Sequence, residues 1–233
     1  NQVLAEIIAS LRNPDGSVAL AGFYDDVEEP APEVLAQWKT LGFDQGAFLA
    51  GAGLSVPAGE QDRSVLEQIW SRPSCEINGM IGGYTGNGFK TVIPAKASAK
   101  ISFRLVVGMD PQKIRDAFRA HVRARIPADC SVSFKEHGGS PAIAVPTDGP
   151  FLRRALGALT EEWGKEALLV GSGASIPIVA DFKRTLGLDS LLIGFGLDDD
   201  NIHSPNEKYD LKSYHKGIRS WARVLAALAE VPR

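Results

Sequence analysis

The 233-residue sequence predicts an α+β unit, a ferredoxin-like open-faced sandwich of an antiparallel sheet with two helices, followed by an α/β segment. Three observations carry this. Up to residue 137 the element order reads helix, strand, strand, helix, strand, which one further strand ahead of Asn1 would complete as a ferredoxin-like unit. After Gly138-Gly139-Ser140-Pro141 strand and helix patterns alternate instead, as in a sheet with crossover helices. Finally, 44% hydrophobic and 23% charged residues suffice to bury a full core. The division therefore falls into 1–139, with an inserted irregular segment at about 17–73, and 140–233.

Taken in order, Leu4, Ile7, Ile8 and Leu11 recur at the spacing of one helical face, and Asn13-Pro14-Asp15-Gly16 stops that helix. Residues 17–73 are rich in Gly, Pro and acidic side chains, with short helical patches near 32–40 and 62–70. An insertion of that length usually has a task, such as a lid or an oligomer contact. Strands are expected at 74–81 and 97–107, separated by Gly82, Gly83, Gly86 and Gly88. Asp110-Pro111, an N-cap followed by proline at the first helical position, opens a helix with Ile114, Phe118 and Val122 on one face. A strand at 131–137 ends this part. Beyond it the pattern predicts helices at 149–163, 176–186 and 209–230, a buried strand at 167–170 and another strand at 190–195.

Composition excludes several classes of function. The formal charge of −3 and the pI near 5.9 arise from interspersed signs, without the basic patch of a nucleic-acid or membrane-surface binder. Cys75 and Cys130 stand far apart in no metal-binding or redox spacing, which suits a reducing cytoplasm. No apolar run reaches the roughly 18 residues of a membrane helix. Asn1 opens directly on a helix already under way, so the sequence reads as a fragment.

Three clusters could carry chemistry. The first, Gly196-Leu197-Asp198-Asp199-Asp200-Asn201-Ile202-His203-Ser204-Pro205-Asn206-Glu207-Lys208, lies between an expected strand and a helix, where ligands collect in open α/β sheets. His203 could offer a neutral ring nitrogen to a metal there, although the same residues also fit a polar turn capping the last helix. The second, Val170-Gly171-Ser172-Gly173-Ala174-Ser175-Ile176-Pro177, brings backbone N–H groups and the Ser175 hydroxyl to a helix start. That suits an anionic group as readily as a tight turn with a capping serine. The third runs from Gly82 through Thr91 to Pro94 and is followed by Arg104 in an apolar run, where an arginine must reach an anion or water. A buried ion pair and a fork onto a ligand carboxylate both satisfy it. His121, among the arginines of its helix, reads as solvated, and His137 and His215 suggest no role.

In this order the clusters resemble the carnosinase and cytosolic non-specific dipeptidase branch of the di-metal metallopeptidase superfamily, which includes acetylornithine deacetylase, succinyl-diaminopimelate desuccinylase and carboxypeptidase G. The resemblance rests on Gly88-Phe89-Lys90-Thr91-Val92-Ile93-Pro94, Phe103-Arg104-Leu105-Val106, Ser175-Ile176-Pro177, and Asp198-Asp199 followed by His203-Ser204-Pro205-Asn206-Glu207-Lys208. It implies hydrolysis of dipeptides or related amides with two divalent ions, Zn or Mn, and makes His203 a ligand of one ion. It likewise implies that Arg104 and Ser175, with the backbone at Gly173 and Ala174, bind a substrate carboxylate. Residues 1–139 become a lid and dimerisation domain, in which Thr91 reaches a homodimer partner's site, and 140–233 become the last part of the catalytic domain.

The family's remaining metal ligands and general base belong upstream of Asn1, so the chain alone is expected to be inactive. Gly171-Ser172 stands where such members tend to show Arg-Glu, and Ala174 replaces a usual Gly. A non-catalytic dimeric ligand-binding or regulatory module and an N-acyl amino-acid deacylase are the alternatives.

Overall fold

The computed structural model describes residues 1–172 and 176–231 as an α+β protein with a two-stranded antiparallel sheet and several helices. It divides into two compact units, one of Asn1–Ile143 with Gly171–Ala180, the other of Ala144–Val170 with the chain from Asp181 onward. None of the helices is long and apolar enough to cross a membrane among the described residues.

In the first unit, α1 (Gln2–Ala9) buries Ile7 and delivers Leu11 to the core. The helix stops short of residue 12 because the next turn closes on itself. Asp15 accepts hydrogen bonds from the Ser17 N–H and hydroxyl, and Arg12 bridges antiparallel to Val18. Gly16, at φ 84°, lies so near the insertion that a Cβ would stand 2.1 Å from the Gly59 carbonyl oxygen. Only glycine fits that approach.

The insertion is more ordered than its composition suggests. It contains α2 (Pro32–Thr40), α3 (Gln45–Gly51) and α4 (Val65–Trp70). Asp44 caps α3 and Ser64 forms a reciprocal capping box with Glu67 at the start of α4. Trp38 meets Trp70 edge to face at 5.1 Å. A charge network ties the segment down: Arg72 donates to Glu60 at 2.7 Å and to Glu29 at 2.9 Å, and Arg63 donates to both oxygens of Glu29.

Strands β1 (Ser74–Gly82) and β2 (Ala97–Arg104) pair antiparallel, with Cys75 opposite Phe103 and Ile77 opposite Ile101. The register then skips Asn78, a bulge that sets Gly79 against Lys100 and flips the inward parity of the rest of β1. Helix α5 (Pro111–Arg123), capped by Asp110, lays Ile114 and Val122 into the core, and Phe118 meets Phe103 at 5.5 Å. The core joins Leu11, Val18, Leu20, Phe23, Cys75, Met109 and Ile114. Burial raises the Cys75 thiol to about 11, so it packs as a small apolar group.

Two expectations fail here. Residues 131–137 form no ladder among the described residues, although Phe134 and Glu136, two residues apart, both face α5. Phe134 lies edge-on to Phe118 beneath the guanidinium groups of Arg119 and Arg123, and Glu136 pairs with Arg115 and Arg119. His121 is not solvated but 8% exposed. Its Nε2 lies 2.8 Å from the Ser10 hydroxyl oxygen, and that hydroxyl donates its single proton to the Ile7 carbonyl, so Nε2–H is the donor.

Desolvation, and then the Arg125 charge, hold His121 below the ordinary histidine value. A base depressed in the folded state takes up its proton more readily when unfolded. Its contribution to stability is therefore present above about pH 6.5 and lost as pH falls through the folded value. The urea midpoint is expected to fall between about pH 7.5 and pH 5.5 by more in the parent protein than in His121→Gln, and equal slopes would remove His121 from the effect.

The second unit pairs α6 (Pro150–Trp163) with α8 (Leu211–Ala229) over Ala155, Ala158 and Val224. Small alanines on α6 allow close approach. Trp163 stacks on Phe195 at 5.8 Å and donates to the Ser220 hydroxyl, while Glu162 accepts from Arg219 and Arg223. Helix α7 is Pro177–Leu186. The expected strands at 167–170 and 190–195 are not formed among the described residues, and 167–170 is not buried, since Leu168 and Val170 are exposed. Residues 190–195 keep a strand's alternation, with Leu191 and Ile193 against the core and Leu192 outward, but alternation without a hydrogen-bonded neighbour is not a sheet. Along α8, Leu211, Tyr214, Ile218, Trp221 and Leu225 form a second apolar stripe that is exposed.

Candidate functional site

The loop between Phe195 and α8 holds its shape through a set of specific contacts. A 3₁₀ turn at Asp198–Asp200 leads into three non-glycine residues with left-handed backbone, Asn201 (φ 54°), His203 (φ 64°) and Asn206 (φ 61°). Asparagine tolerates this region, whereas His203 there costs roughly 1–2 kcal/mol unless its surroundings hold it.

Asp200 supplies the hold. It is 1% exposed, and Oδ2 accepts from the Leu197 N–H at 2.8 Å while Oδ1 accepts from Lys208 Nζ at 2.9 Å. Its carbonyl also accepts the Lys208 N–H at 2.9 Å. The Leu197 N–H, then the Lys208 ammonium, keep the Asp200 carboxyl below its usual range, and Asp200, then Asp199, raise Lys208. At the tip, the His203 N–H donates to Glu207 at 3.2 Å and the residue is exposed. Gly196, Asp200, Ile202, Glu207, Lys208 and Tyr209 line an open cavity of about 510 Å³.

No group of three or more His, Cys, Asp or Glu side chains is gathered for a metal among the described residues. His203 is exposed and stands on left-handed backbone in this loop.

Of the other predicted site residues, Thr91 and Arg104 belong to the first unit. Arg104 closes β2 opposite Ser74 and is exposed, so it is not sunk in an apolar run. The connection bearing Thr91 leaves the other end of the hairpin, where Gly82 pairs with Ala97. Seven residue steps of strand, roughly 23 Å, separate the two ends, so one chain does not bring Thr91 and Arg104 together through the sheet. Thr91 is exposed between Phe89, 87% exposed, and Ile93, 94% exposed. Gly173, Ala174 and Ser175 lie outside the described residues. Just before them, a Cβ on Gly171 would stand 2.5 Å from the Trp70 Cβ, so this backbone excludes a side chain at 171. Asp200 and Lys208 carry no distinct sign in the sequence, where Asp200 is one of three consecutive aspartates; the eight-residue spacing that joins them is visible only once the loop is folded.

Fold and loop together define a hairpin-and-helix unit and a helical unit whose loop before α8 displays His203. Residues 1–130 match the family described as the peptidase dimerisation domain, and the chain belongs to that family. Over 93% of its length it is 29% identical to the Cys-Gly metallodipeptidase DUG1 of Candida albicans, covering 45% of that protein. It is 27% identical to the human Beta-Ala-His dipeptidase over 98% of its length and 46% of the relative's. Among solved structures, the M20 family metallo-carboxypeptidase Sso-CP2 from Sulfolobus solfataricus superposes with a TM-score of 0.87 at 27% identity, over 99% of this chain and 52% of the other. Human carnosine dipeptidase 1 gives 0.83 at 26% identity, over 99% and 49%. The chain thus spans about half the length of the curated relatives it matches.

Proposed function

We propose that this chain is the lid and carboxyl-terminal part of a di-metal peptidase that hydrolyses dipeptides. The observation that carries the reading is His203, displayed on a loop whose backbone is held from beneath by the buried Asp200. The likeness to metallodipeptidases, which runs through both units, supports it. In this reading His203 is one donor to a Zn or Mn ion. When bound, two divalent ions would supply the Lewis acidity that amide hydrolysis needs. Arg104 and Ser175, with the backbone at Gly173 and Ala174, grip the substrate's terminal carboxylate, and the fork of Arg104 orients it. The separation of Thr91 from Arg104 along the hairpin suits a homodimer in which Thr91 serves the partner's site.

The finer architecture belongs to the same reading. Residues 1–139 form a ferredoxin-like lid, and 140–233 form the end of a catalytic α/β domain. The extended segments at 167–170 and 190–195 find ladder neighbours, and the exposed stripe of α8 its cover, in residues of that domain beyond this chain.

Titration of Zn²⁺ and Mn²⁺ into the full-length protein tests the proposal: two ions per chain are expected, and indifference to metal would favour a regulatory module. The 1–233 chain alone is expected to leave dipeptides intact. Higher turnover of acetylated amino acids than of dipeptides by the full-length protein would turn the reading to a deacylase. Arg104→Lys, which keeps the charge and loses the fork, is expected to raise KM about tenfold or more with little change in kcat. An unchanged KM would take Arg104 out of the clamp.

A further inference from the structure

We infer that Asp200 and Lys208 form a positioning pair that fixes the direction of the His203 imidazole. The inference rests on reading His203 as a metal donor, and goes beyond it by naming what aims that donor. The same two residues are joined twice, through the Lys208 N–H on the Asp200 carbonyl and through Lys208 Nζ on Asp200 Oδ1. Those two contacts close the base of a loop whose backbone is left-handed at Asn201, His203 and Asn206. The link runs through Glu207, next in chain to Lys208, whose carboxylate accepts the His203 N–H.

The chemistry of the pair argues against mere packing. Replacing a buried ion pair by apolar residues is often neutral or stabilising, and Asp200 is 1% exposed, so the role inferred for it is selection of one loop conformation. Asp200 is suited to that selection because both oxygens are engaged in different directions, one towards Leu197 before the 3₁₀ turn and one towards Lys208 after the loop. The aimed group matters because a metal donor must stand within a few tenths of an ångström of its place, and residues behind a ligand commonly change affinity 10- to 100-fold.

The test is Zn²⁺ affinity of the full-length protein, measured by competition with a chelating dye for Asp200→Asn, Lys208→Met, His203→Ala and the double variant Asp200→Asn/His203→Ala. Both positioning variants are expected to bind Zn²⁺ about 10- to 100-fold more weakly. The double variant is expected to be no weaker than His203→Ala, since the pair acts through that side chain. In the metal-free protein, Lys208→Met should shift and broaden the His203 ring resonances in NMR spectra while core resonances stay in place. If both positioning variants keep the parent affinity while His203→Ala loses it, the positioning role is wrong and the donor reading survives. If His203→Ala keeps the parent affinity, the donor reading itself falls, and the inference with it. Should Asp200→Asn not fold, Lys208→Met still decides, because it leaves the Asp200 bond to Leu197 intact.

Discussion

Replacing His203 by alanine in the full-length protein is expected to weaken Zn²⁺ or Mn²⁺ binding by at least about 100-fold, and dipeptide turnover with it. The size follows from the order of shells: changing a group behind a ligand commonly costs 10- to 100-fold, and removing the ligand itself costs no less. Alanine also lacks histidine's preference for the left-handed region, and residue 203 sits at φ 64°. His203→Asn separates the two effects. Asparagine tolerates the left-handed conformation and lacks the imidazole, so loop structure should persist while metal affinity still falls. Removal of metal with a chelator should likewise abolish turnover and leave the α6–α8 core folded, since Ala155, Ala158 and Val224 pack without it. An asparagine variant that binds metal as the parent does would exclude His203 from the centre.

The helices and the hairpin were readable because their signals are local. Asp110-Pro111 fixes the start of α5, and Ile114, Phe118 and Val122 share one face whatever the rest of the chain does. His121 lies on that same face, seven residues after Ile114, and its spacing outweighs the arginines around it. The segments 131–137, 167–170 and 190–195 show the opposite case. Apolar alternation says which way side chains face, but a strand also needs a neighbour, and no local pattern reports one. In the insertion the helices at Pro32–Thr40 and Val65–Trp70 follow patches readable in the sequence, but the ties between them do not. Its order comes from Glu29, Glu60, Arg63 and Arg72, whose ion pairs close over as many as 43 residues of sequence. At the site, the His203 cluster stood out by composition. The clamp beneath it did not, because three consecutive aspartates give no hint that the third is buried and the second is not.

The largest expected loss of stability lies at Phe23. The ring is 1% exposed, meets Tyr24 edge to face at 5.1 Å and Phe103 at 5.9 Å, and joins the turn after Val18 to the sheet. Phe23→Ala is expected to cost about 3–5 kcal/mol, because the transfer energy of the ring is lost and the cavity cannot close between a strand and a turn. Against a typical total of roughly 5–15 kcal/mol, that brings the first unit near its unfolding threshold. The damage should spread to Tyr24. Its hydroxyl accepts the Val18 N–H at 2.8 Å, the Arg72 guanidinium lies over its ring, and burial first among its causes raises its pKa to about 12. Once Phe23 no longer braces that ring, the phenol should become accessible and its pKa should drop towards about 10. Phe89→Ala is the control: at 87% exposure it should change stability by no more than about 0.5 kcal/mol. Urea denaturation of both variants, followed by tyrosine absorbance at alkaline pH, reads the two effects separately. Equal midpoints for the two would mean that Phe23 is not the centre of this core.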